Sequence, residues 1–310
     1  MRVLLIGATG FLGRHVLELL SGVEGTEVVT ATRSPGPPGH ADPRAAATRH
    51  VQLDLAGDDP ERLARTIGHL APDAVVNCAG ATSGDAEVLA ASHVTGAATL
   101  VRAVMAAAPG ARLVHLGSAA EYGRVPVGEP VREDARPRPV GGYGVAKLAA
   151  TRIMEVARTV GLAVVVLRVF NPVGPGAPVT GLPGRIAEQV AKAVADGDQV
   201  RLGPLDAARD FVDARDVARA VAAVLAAPVL PAPVLNVAGG RAVTARELAT
   251  LFAMAAGYTG DVVEEPDAGS PRSAQVPWQQ ADIRAIRDEV GWTPRIELPR
   301  SVWDHWRSLP

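Results

Sequence analysis

The chain has 310 residues, 48% of them hydrophobic, which is enough for one large domain or two closely joined ones. Its formal net charge of −2 gives no basic surface that would favour nucleic acid or an acidic membrane. A single cysteine, Cys78, excludes an internal disulfide. We expect a cytoplasmic protein without a secretory signal in "MRVLLIG" and without a stretch that approaches a membrane span.

Strand-length apolar runs alternate with helical segments in the first half of the chain. The runs lack an alternation of apolar and polar residues, which is typical of strands buried on both faces of a parallel sheet. They cover residues 3–6, 27–31, 74–77, 112–116 and 163–169, and the helical segments cover 11–21, 60–69, 86–107 and 142–160. This order predicts an α/β fold with a Rossmann-like, doubly wound parallel sheet.

The pattern changes after residue 168. A long Gly/Pro loop, "NPVGPGAPVTGLPG", precedes helices predicted at 184–196 and 213–226 and a strand within 233–240. We predict a nucleotide-binding domain of residues 1–168 plus 213–238. Residues 169–212 plus 239–310 are predicted to form a smaller substrate-binding region over the strand ends, where ligands of such sheets bind.

A glycine-rich turn joins the first predicted strand to the first helix. "VLLIGATGFLGRHV" places Gly7, Gly10 and Gly13 there, at a spacing that differs from the G-x-G-x-x-G dinucleotide fingerprint. Glycines let the backbone approach a pyrophosphate, whose charge the helix N-terminus favours. A tight turn is the alternative, but the position on the first strand favours a cofactor loop.

The second and third strands bear on the choice of cofactor. NAD-binding sites place a carboxylate at the end of the second strand, but "VVTATRSPG" has none there and offers Arg33, which suits a 2′-phosphate. This favours NADP(H), with NAD(H) as the alternative cofactor and a solvated surface arginine as the alternative reading. Asp54 follows the third strand, where it could accept from an adenine amino group or cap a turn.

The segment "YGVAK" contains a candidate catalytic pair. Tyr143 and Lys147 are four residues apart on one face of a predicted helix, in a chain with three tyrosines and two lysines. Hydride reduction of a ketone needs a proton, which a tyrosine can donate when an ammonium group stabilises the phenolate. Ser118, at the end of the fifth strand, could bond the same oxygen or cap a turn.

In this order, "GATGFLG", "GSAAEYG" and "YGVAK" resemble the extended short-chain dehydrogenases/reductases, which include nucleotide-sugar epimerases, dehydratases and reductases. "RVFNPVGPG" (168–176), "RDFVDARDVARAV" (209–221), "NVAGG" (236–240) and "GWTP" (291–294) extend the resemblance over essentially the whole chain. The later segments are most similar to nucleoside-diphosphate 4-keto-6-deoxyhexose reductases, such as the GDP-4-keto-6-deoxymannose reductases.

The resemblance implies roles for individual residues. It implies Ser118, Tyr143 and Lys147 as the catalytic triad and a homodimer formed through the helices at 86–107 and 142–160. For the substrate it implies contacts from Ser118, Asn171, Arg209 and Arg272, the last three to a diphosphate. For the cofactor it implies Gly7, Gly10, Gly13 and Asp54. The full set of cofactor contacts that we expect is Gly7, Thr9, Gly10, Phe11, Leu12, Gly13, Arg33, Asp54, Leu55, Ala79, Tyr143 and Lys147.

Two departures from the family pattern matter. Ala119 and Ala120 stand where 4,6-dehydratases carry an aspartate and a glutamate, and since a methyl group cannot exchange a proton, dehydration is not expected. Glu121 is displaced by one position and should point elsewhere. His93 replaces the asparagine of an "N-V-x-G-T" motif, which we interpret as a tolerated structural change, with a substrate-contact or proton-relay role as the alternative.

These observations predict an NADPH-dependent reductase of a nucleotide-linked 4-keto-6-deoxy sugar. Three alternatives stay open: an NAD-dependent nucleotide-sugar epimerase, a ketoreductase acting on a natural-product aglycone, and a non-catalytic NADP-binding regulator. The scattered histidines have no metal-ligand spacing, so no metal is expected. Nucleic acid and membranes are not expected as partners.

Overall fold

The computed structural model describes residues 1–34, 49–265 and 275–309. The strands are β1 (Arg2–Ile6), β2 (Glu27–Thr32), β3 (Arg49–Gln52), β4 (Ala74–Asn77), β5 (Arg112–Ser118), β6 (Val164–Val169), β7 (Pro172–Val173), β8 (Val200–Leu202), β9 (Ala208–Asp210), β10 (Val212–Asp213), β11 (Val234–Val237), β12 (Ala242–Thr244), β13 (Val262–Glu264) and β14 (Trp278–Gln279). The α-helices are α1 (Phe11–Ser21), α2 (Pro60–Leu70), α3 (Ala86–Ala107), α4 (Gly141–Thr159), α5 (Leu182–Asp196), α6 (Ala214–Ala226), α7 (Ala245–Ala256), α8 (Arg284–Val290) and α9 (Leu298–Arg307).

Seven parallel strands form the central sheet, in the order β11-β6-β5-β4-β1-β2-β3. Their Val, Leu and Ile side chains are buried on both faces. The chain runs outward in one direction through β1, β2 and β3 and in the other through β4, β5 and β6. The predicted doubly wound, Rossmann-like sheet is confirmed, and its strand order reverses between β1 and β4, where ligands of such sheets bind.

Helices cover both faces of the sheet. On one face α1 packs against α6, with Leu17 and Val221 in a shared apolar core. On the other face α2, α3 and α4 lie side by side, and Leu100 and Met154 belong to the core there. The helices therefore form one layer on each face of the sheet, as expected for a doubly wound fold. The two apolar cores hold the sheet between these layers.

Helix α3 departs from expectation in one respect. Among the described residues it is long and apolar enough to cross a membrane by length and composition, with 22 residues. The expectation that no segment approaches this length is therefore wrong. Half of the apolar window is buried inside the fold, and α3 packs between α2 and α4, as the core helix of a globular protein does. Residues 90–95 of α3 form a π-helical turn.

The later part of the chain packs around a separate apolar core. Helices α5, α7 and α9 contribute to it, together with Phe211 and Phe252. Short strands, in the order β12-β9-β14, run beside this core, and β11 returns to the central sheet. Helices α5 and α6 begin within two residues of their predicted starts. The division into a nucleotide-binding domain and a substrate-binding region stays a prediction.

The turn between β1 and α1 is packed so closely that positions 7 and 13 have no space for a side chain. Gly7 has φ = 81°, and a Cβ there would lie 2.7 Å from the backbone nitrogen of Ala79. A Cβ on Gly13 would lie 2.1 Å from the carbonyl oxygen of Gly7. Gly10 caps α1 without a side-chain hydrogen bond, and the first turn has no acidic residue. The helix N-terminus therefore faces the strand ends with backbone N–H groups.

Replacing Gly13 with alanine tests this turn. In a helix, Gly→Ala ordinarily stabilises by about 1 kcal/mol. Here the added methyl meets the Gly7 carbonyl, so we expect Gly13→Ala to lower the melting temperature and weaken binding of the predicted dinucleotide. Gly68→Ala, inside α2, is the matched control, because the nearest atom to its Cβ position is the Ala107 Cβ at 3.6 Å, an ordinary contact distance. Thermal unfolding and dinucleotide titration measure both effects, and a Gly13→Ala variant with wild-type stability and affinity would contradict the account.

Candidate active site

A cleft of about 640 Å³ lies at the carboxyl ends of β1, β4, β5 and β6. One end is lined by the start of α1, including Gly10, Phe11 and Leu12. The middle is lined by the end of β5 and by α4, and the other end by the loop after β6 and the first turn of α5. The cleft thus spans the predicted cofactor loop, the predicted catalytic pair and the predicted diphosphate site.

The structure brings the three predicted catalytic side chains to the middle of this cleft. Ser118 is the last residue of β5, and Tyr143 and Lys147 lie in the first two turns of α4. Tyr143 is half-buried, whereas Lys147 is 7% exposed. The Lys147 ammonium group donates to the Leu116 carbonyl at 2.8 Å. This bond fixes the cation beside the strand end that carries Ser118.

The turn after Ser118 presents methyl groups to the cleft. Ala119 and Ala120 both line it, and the Ala120 N–H donates to the Ser118 Oγ at 3.2 Å. Glu121 is fully buried and points away, as predicted. One of its carboxylate oxygens accepts the Ser118 N–H at 2.7 Å, and the other accepts from Arg168 Nε at 2.8 Å. No carboxylate of this turn is therefore available to a ligand in the cleft.

Neutral groups surround Lys147. Burial raises the pKa of Cys78 to about 12, so its thiol stays protonated. Burial, together with the Lys147 charge, lowers the pKa of His93 to about 4 and holds that of His115 well below its usual value. Asn77 donates to His115 Nδ1 at 3.1 Å, which places the neutral imidazole's proton on Nε2. These groups add no second cation beside the lysine.

The far end of the cleft holds the predicted diphosphate contacts. Asn171 has φ = 26°, and its Nδ2 donates to the Asp210 carbonyl at 2.7 Å. Arg209, on β9, lines the cleft and donates to the carbonyl of Ala208. The third predicted contact, Arg272, lies outside the described residues. Arg209 and Asn171 therefore lie at the end of the cleft where the substrate diphosphate is predicted to bind.

The remaining predicted cofactor residues lie at other places in the fold. Thr9 is exposed at the glycine turn, and Ala79 follows β4. Arg33 is exposed directly after β2, and Asp54 and Leu55 follow β3. Asp54 accepts the Ala56 N–H at 3.1 Å, so it also serves as a turn residue. None of these five residues is among those that line the cleft.

Two arginines that the sequence did not single out line the cleft. Arg14, in the first turn of α1, donates to the Gly176 carbonyl at 3.0 Å and so joins the cofactor turn to the loop after β6. Arg185, in the first turn of α5, is exposed on the cleft. Both arginines lie in the first turn of a helix that follows a glycine-rich loop, and this sequence pattern could have identified them.

Comparison with known proteins agrees with this geometry. Residues 3–238 match the model of the NAD dependent epimerase/dehydratase family. The chain is 40% identical to the dTDP-6-deoxy-L-talose 4-dehydrogenase (NAD(P)(+)) of Kitasatospora kifunensis, over 99% of this chain and 95% of that one. It is 27% identical to the GDP-6-deoxy-D-mannose reductase of Pseudomonas aeruginosa, over 99% and 97%. The solved structure of RMD from Pseudomonas aeruginosa complexed with NADPH has a TM-score of 0.80 at 25% identity, covering 99% and 98%. The predicted resemblance is confirmed.

The buried ion pair behind the cleft generates a stability prediction. Removing one partner of a buried pair typically costs about 3–5 kcal/mol, because the other charge is left buried and unpaired. We expect this loss for Arg168→Met, since Arg168 is 1% exposed and Glu121 is fully buried. The exposed pair of Arg201 and Glu265 provides the control, Arg201→Met, with an expected loss of at most about 1 kcal/mol. Equal losses in urea unfolding would refute the prediction.

Proposed function

The chain belongs to the NAD dependent epimerase/dehydratase family, and we propose that it is an NADPH-dependent ketoreductase of a nucleoside-diphosphate 4-keto-6-deoxyhexose. The observation that carries the proposal is the wall of the cleft around Ser118. A hydroxyl, a phenol and an ammonium group lie on this wall, and the neighbouring positions 119 and 120 bear methyl groups. Such a wall supports protonation of an alkoxide and lacks the carboxylates that water elimination needs.

The relatives support the same type of substrate. A 4-dehydrogenase acting on a 6-deoxyhexose produces a 4-ketone, so the named activity of the relative from Kitasatospora is the proposed reduction in the reverse direction. The reductase from Pseudomonas is also named for a nucleotide-linked 6-deoxyhexose. We therefore assign the C4 ketone of such a sugar as the group that this chain reduces.

The glycine turn fits a dinucleotide. Glycine at positions 7 and 13 lets the turn pack closely on the backbone around Ala79 and on itself, and backbone N–H groups at the start of α1 are available to a pyrophosphate. The turn from Gly7 to Gly13 would hold the pyrophosphate, and Lys147 would hold the nicotinamide ribose. The bound nicotinamide supplies the hydride.

The side chains of the cleft handle the proton. Ser118 donates a hydrogen bond from its Oγ to the ketone oxygen, which stabilises the charge that develops there. Tyr143 donates its phenolic proton to that oxygen. Lys147 stabilises the phenolate that remains, because an opposite charge nearby favours the charged form. Arg209, Asn171 and Arg185 bind the diphosphate, since guanidinium and amide groups donate hydrogen bonds to phosphate oxygens.

We propose NADPH as the preferred reductant because of Arg33. It is exposed at the end of β2, and no carboxylate stands there to bind a ribose hydroxyl. The guanidinium is able to pair with a 2′-phosphate. NADH is the second, weaker cofactor in this proposal.

We also propose a homodimer. Helices α3 and α4 border an exposed apolar groove. Met105, Val156 and Val160 lie there, and Val156 and Val160 are 63% and 60% exposed. An exposed apolar strip on two parallel helices is typical of an interface between copies.

A substrate panel tests the proposed reaction. With dTDP-, GDP- and UDP-linked 4-keto-6-deoxyhexoses, we expect stoichiometric NADPH oxidation with at least one member, followed by nicotinamide absorbance. Tyr143→Phe should lower kcat by about 10²–10⁴-fold, the usual contribution of a general acid. Tyr258→Phe is the control, because Tyr258 bonds to Asp198 and Asp261 in the later core. Epimerisation of a UDP-sugar without NADPH consumption would overturn the proposal, as would full activity of Tyr143→Phe.

Cofactor preference has its own test. Arg33→Ala should lower kcat/KM for NADPH by about tenfold, because it removes a hydrogen bond to the charged 2′-phosphate. This is the lower end of the range for such bonds, which is appropriate since Arg33 is exposed. The value for NADH should not change. Arg246→Ala is the control, since Arg246 is an exposed arginine that pairs with Glu264 in the later part of the chain. Steady-state kinetics with both cofactors measure the ratio, and an unchanged ratio would refute the role of Arg33.

A further inference from the structure

The π-helical turn of α3 places one buried imidazole against Tyr143. His93 lies within this turn, which packs on α4, and it is 2% exposed. Its ring meets the Tyr143 ring edge to face, with centroids 5.6 Å apart and an interplanar angle of 78°. Its Nε2 lies 2.8 Å from the Ala81 carbonyl. Two contacts therefore hold the imidazole: a hydrogen bond to the loop after β4, and the ring of the proposed proton donor.

The chemistry of this imidazole is defined by its surroundings. Burial, with a further contribution from Lys147, lowers the pKa of His93 to about 4, so the ring is neutral near pH 7. Because a carbonyl only accepts, the proton lies on Nε2 and is donated to Ala81. His93 Nδ1 is buried and has no hydrogen-bond partner among the described residues. An apolar ring of the same shape would bury no unpaired nitrogen, but it would remove the donor to the Ala81 carbonyl.

The local backbone is also adapted to the ring. Gly80 has φ = 158°, and a Cβ there would lie 2.5 Å from His93 Cε1. The loop after β4 thus has space for the ring only because position 80 carries no side chain. Tyr143 is the third residue of α4, whose N-cap, Val140, makes no side-chain hydrogen bond. The His93 ring is one of the contacts that Tyr143 makes outside its own helix.

We infer that His93 is a positioning residue, whose ring edge restricts Tyr143 to the orientation in which its phenol faces the cleft. The inference rests on the proposed role of Tyr143 as proton donor. This inference differs from the sequence-based interpretation of His93 as a tolerated structural change, and the substitutions below distinguish the two. The hydrogen bond to Ala81 fixes the position of the imidazole, and the imidazole in turn restricts the Tyr143 ring that packs against it. Orientation of this kind acts on the chemical step, where a small misplacement of a reacting group is costly.

Three substitutions separate the two contacts of His93. His93→Phe keeps a ring against Tyr143 and removes the hydrogen bond, His93→Asn keeps a hydrogen-bond donor and removes the ring, and His93→Leu removes both. We expect His93→Phe to lose thermal stability but to keep kcat within about twofold, whereas His93→Asn and His93→Leu lose about tenfold or more in kcat. Their KM for the nucleotide sugar should not change. Their solvent isotope effect on kcat should rise as proton donation becomes limiting.

A matched control exists in the later core. His305 is also fully buried, packs edge to face on Phe252 at 5.2 Å, and has its pKa lowered to about 4 by burial. His305→Asn should lower the melting temperature and leave kcat unchanged. If kcat of the three His93 variants instead follows their melting temperatures, or if His93→Asn and His93→Leu both keep wild-type kcat, the inference is wrong. If His93→Asn does not fold, the comparison of His93→Leu with His93→Phe decides in the same way.

A spectroscopic measurement keeps the test independent of the reaction. The chain has three tyrosines, so ¹⁹F NMR of protein labelled with 3-fluorotyrosine gives few signals, and Tyr143→Phe assigns the relevant one. In the wild type and His93→Phe we expect one narrow, shifted Tyr143 signal. In His93→Asn and His93→Leu it should move toward the position of exposed fluorotyrosine. An identical signal in all four proteins would overturn the inference, whether or not the wild type reduces any sugar of the panel.

Discussion

The ion pair between Glu121 and Arg168 joins the ends of β5 and β6 below the cleft, and the reactive wall depends on it. Glu121 uses one oxygen to hold the Ser118 N–H and the other to bind Arg168, whose guanidinium carbon lies 4.5 Å from the centre of the Tyr122 ring. Tyr122 in turn donates to Asn236 on β11. A charge this deeply buried is tolerated because it is paired and hydrogen-bonded. The pair thereby holds the only carboxylate of the 119–121 turn away from the cleft, whose lining at this turn consists of two alanines.

A second constraint concerns charge. Lys147 is buried among Cys78, His93 and His115, and burial keeps all three neutral. A lone ammonium group in such surroundings is anchored by the Leu116 carbonyl and interacts strongly with any negative charge that develops on Tyr143. The arrangement suits a reaction in which a phenol gives up one proton and the protein does no further acid–base chemistry.

Much of the fold and part of the site follow from the sequence. The buried strands were predictable because parallel strands covered on both faces are continuous apolar runs, and β6 begins one residue from the predicted start. The π-helical turn in α3 was not predictable, since its apolar spacing reads as an ordinary helix. Arg14 and Arg185 were not singled out because nearly every basic residue of this chain is an arginine, although both lie in the first turn of a helix that follows a glycine-rich loop. The contact of His93 with Tyr143 joins positions 50 residues apart, which no local pattern records.

We propose that the cleft would hold NADPH as the hydride source for the sugar C4 and that its own side chains donate one proton, without elimination. Mass spectrometry and ¹H NMR of the product formed from a dTDP-linked 4-keto-6-deoxyhexose with NADPH deuterated at the transferring position test it directly, because the first counts the deuterium and the second places it. The account predicts a 6-deoxyhexose product that carries one deuterium at C4, with one cofactor oxidised per sugar. A product without deuterium, formed while the free cofactor stays reduced, would contradict it.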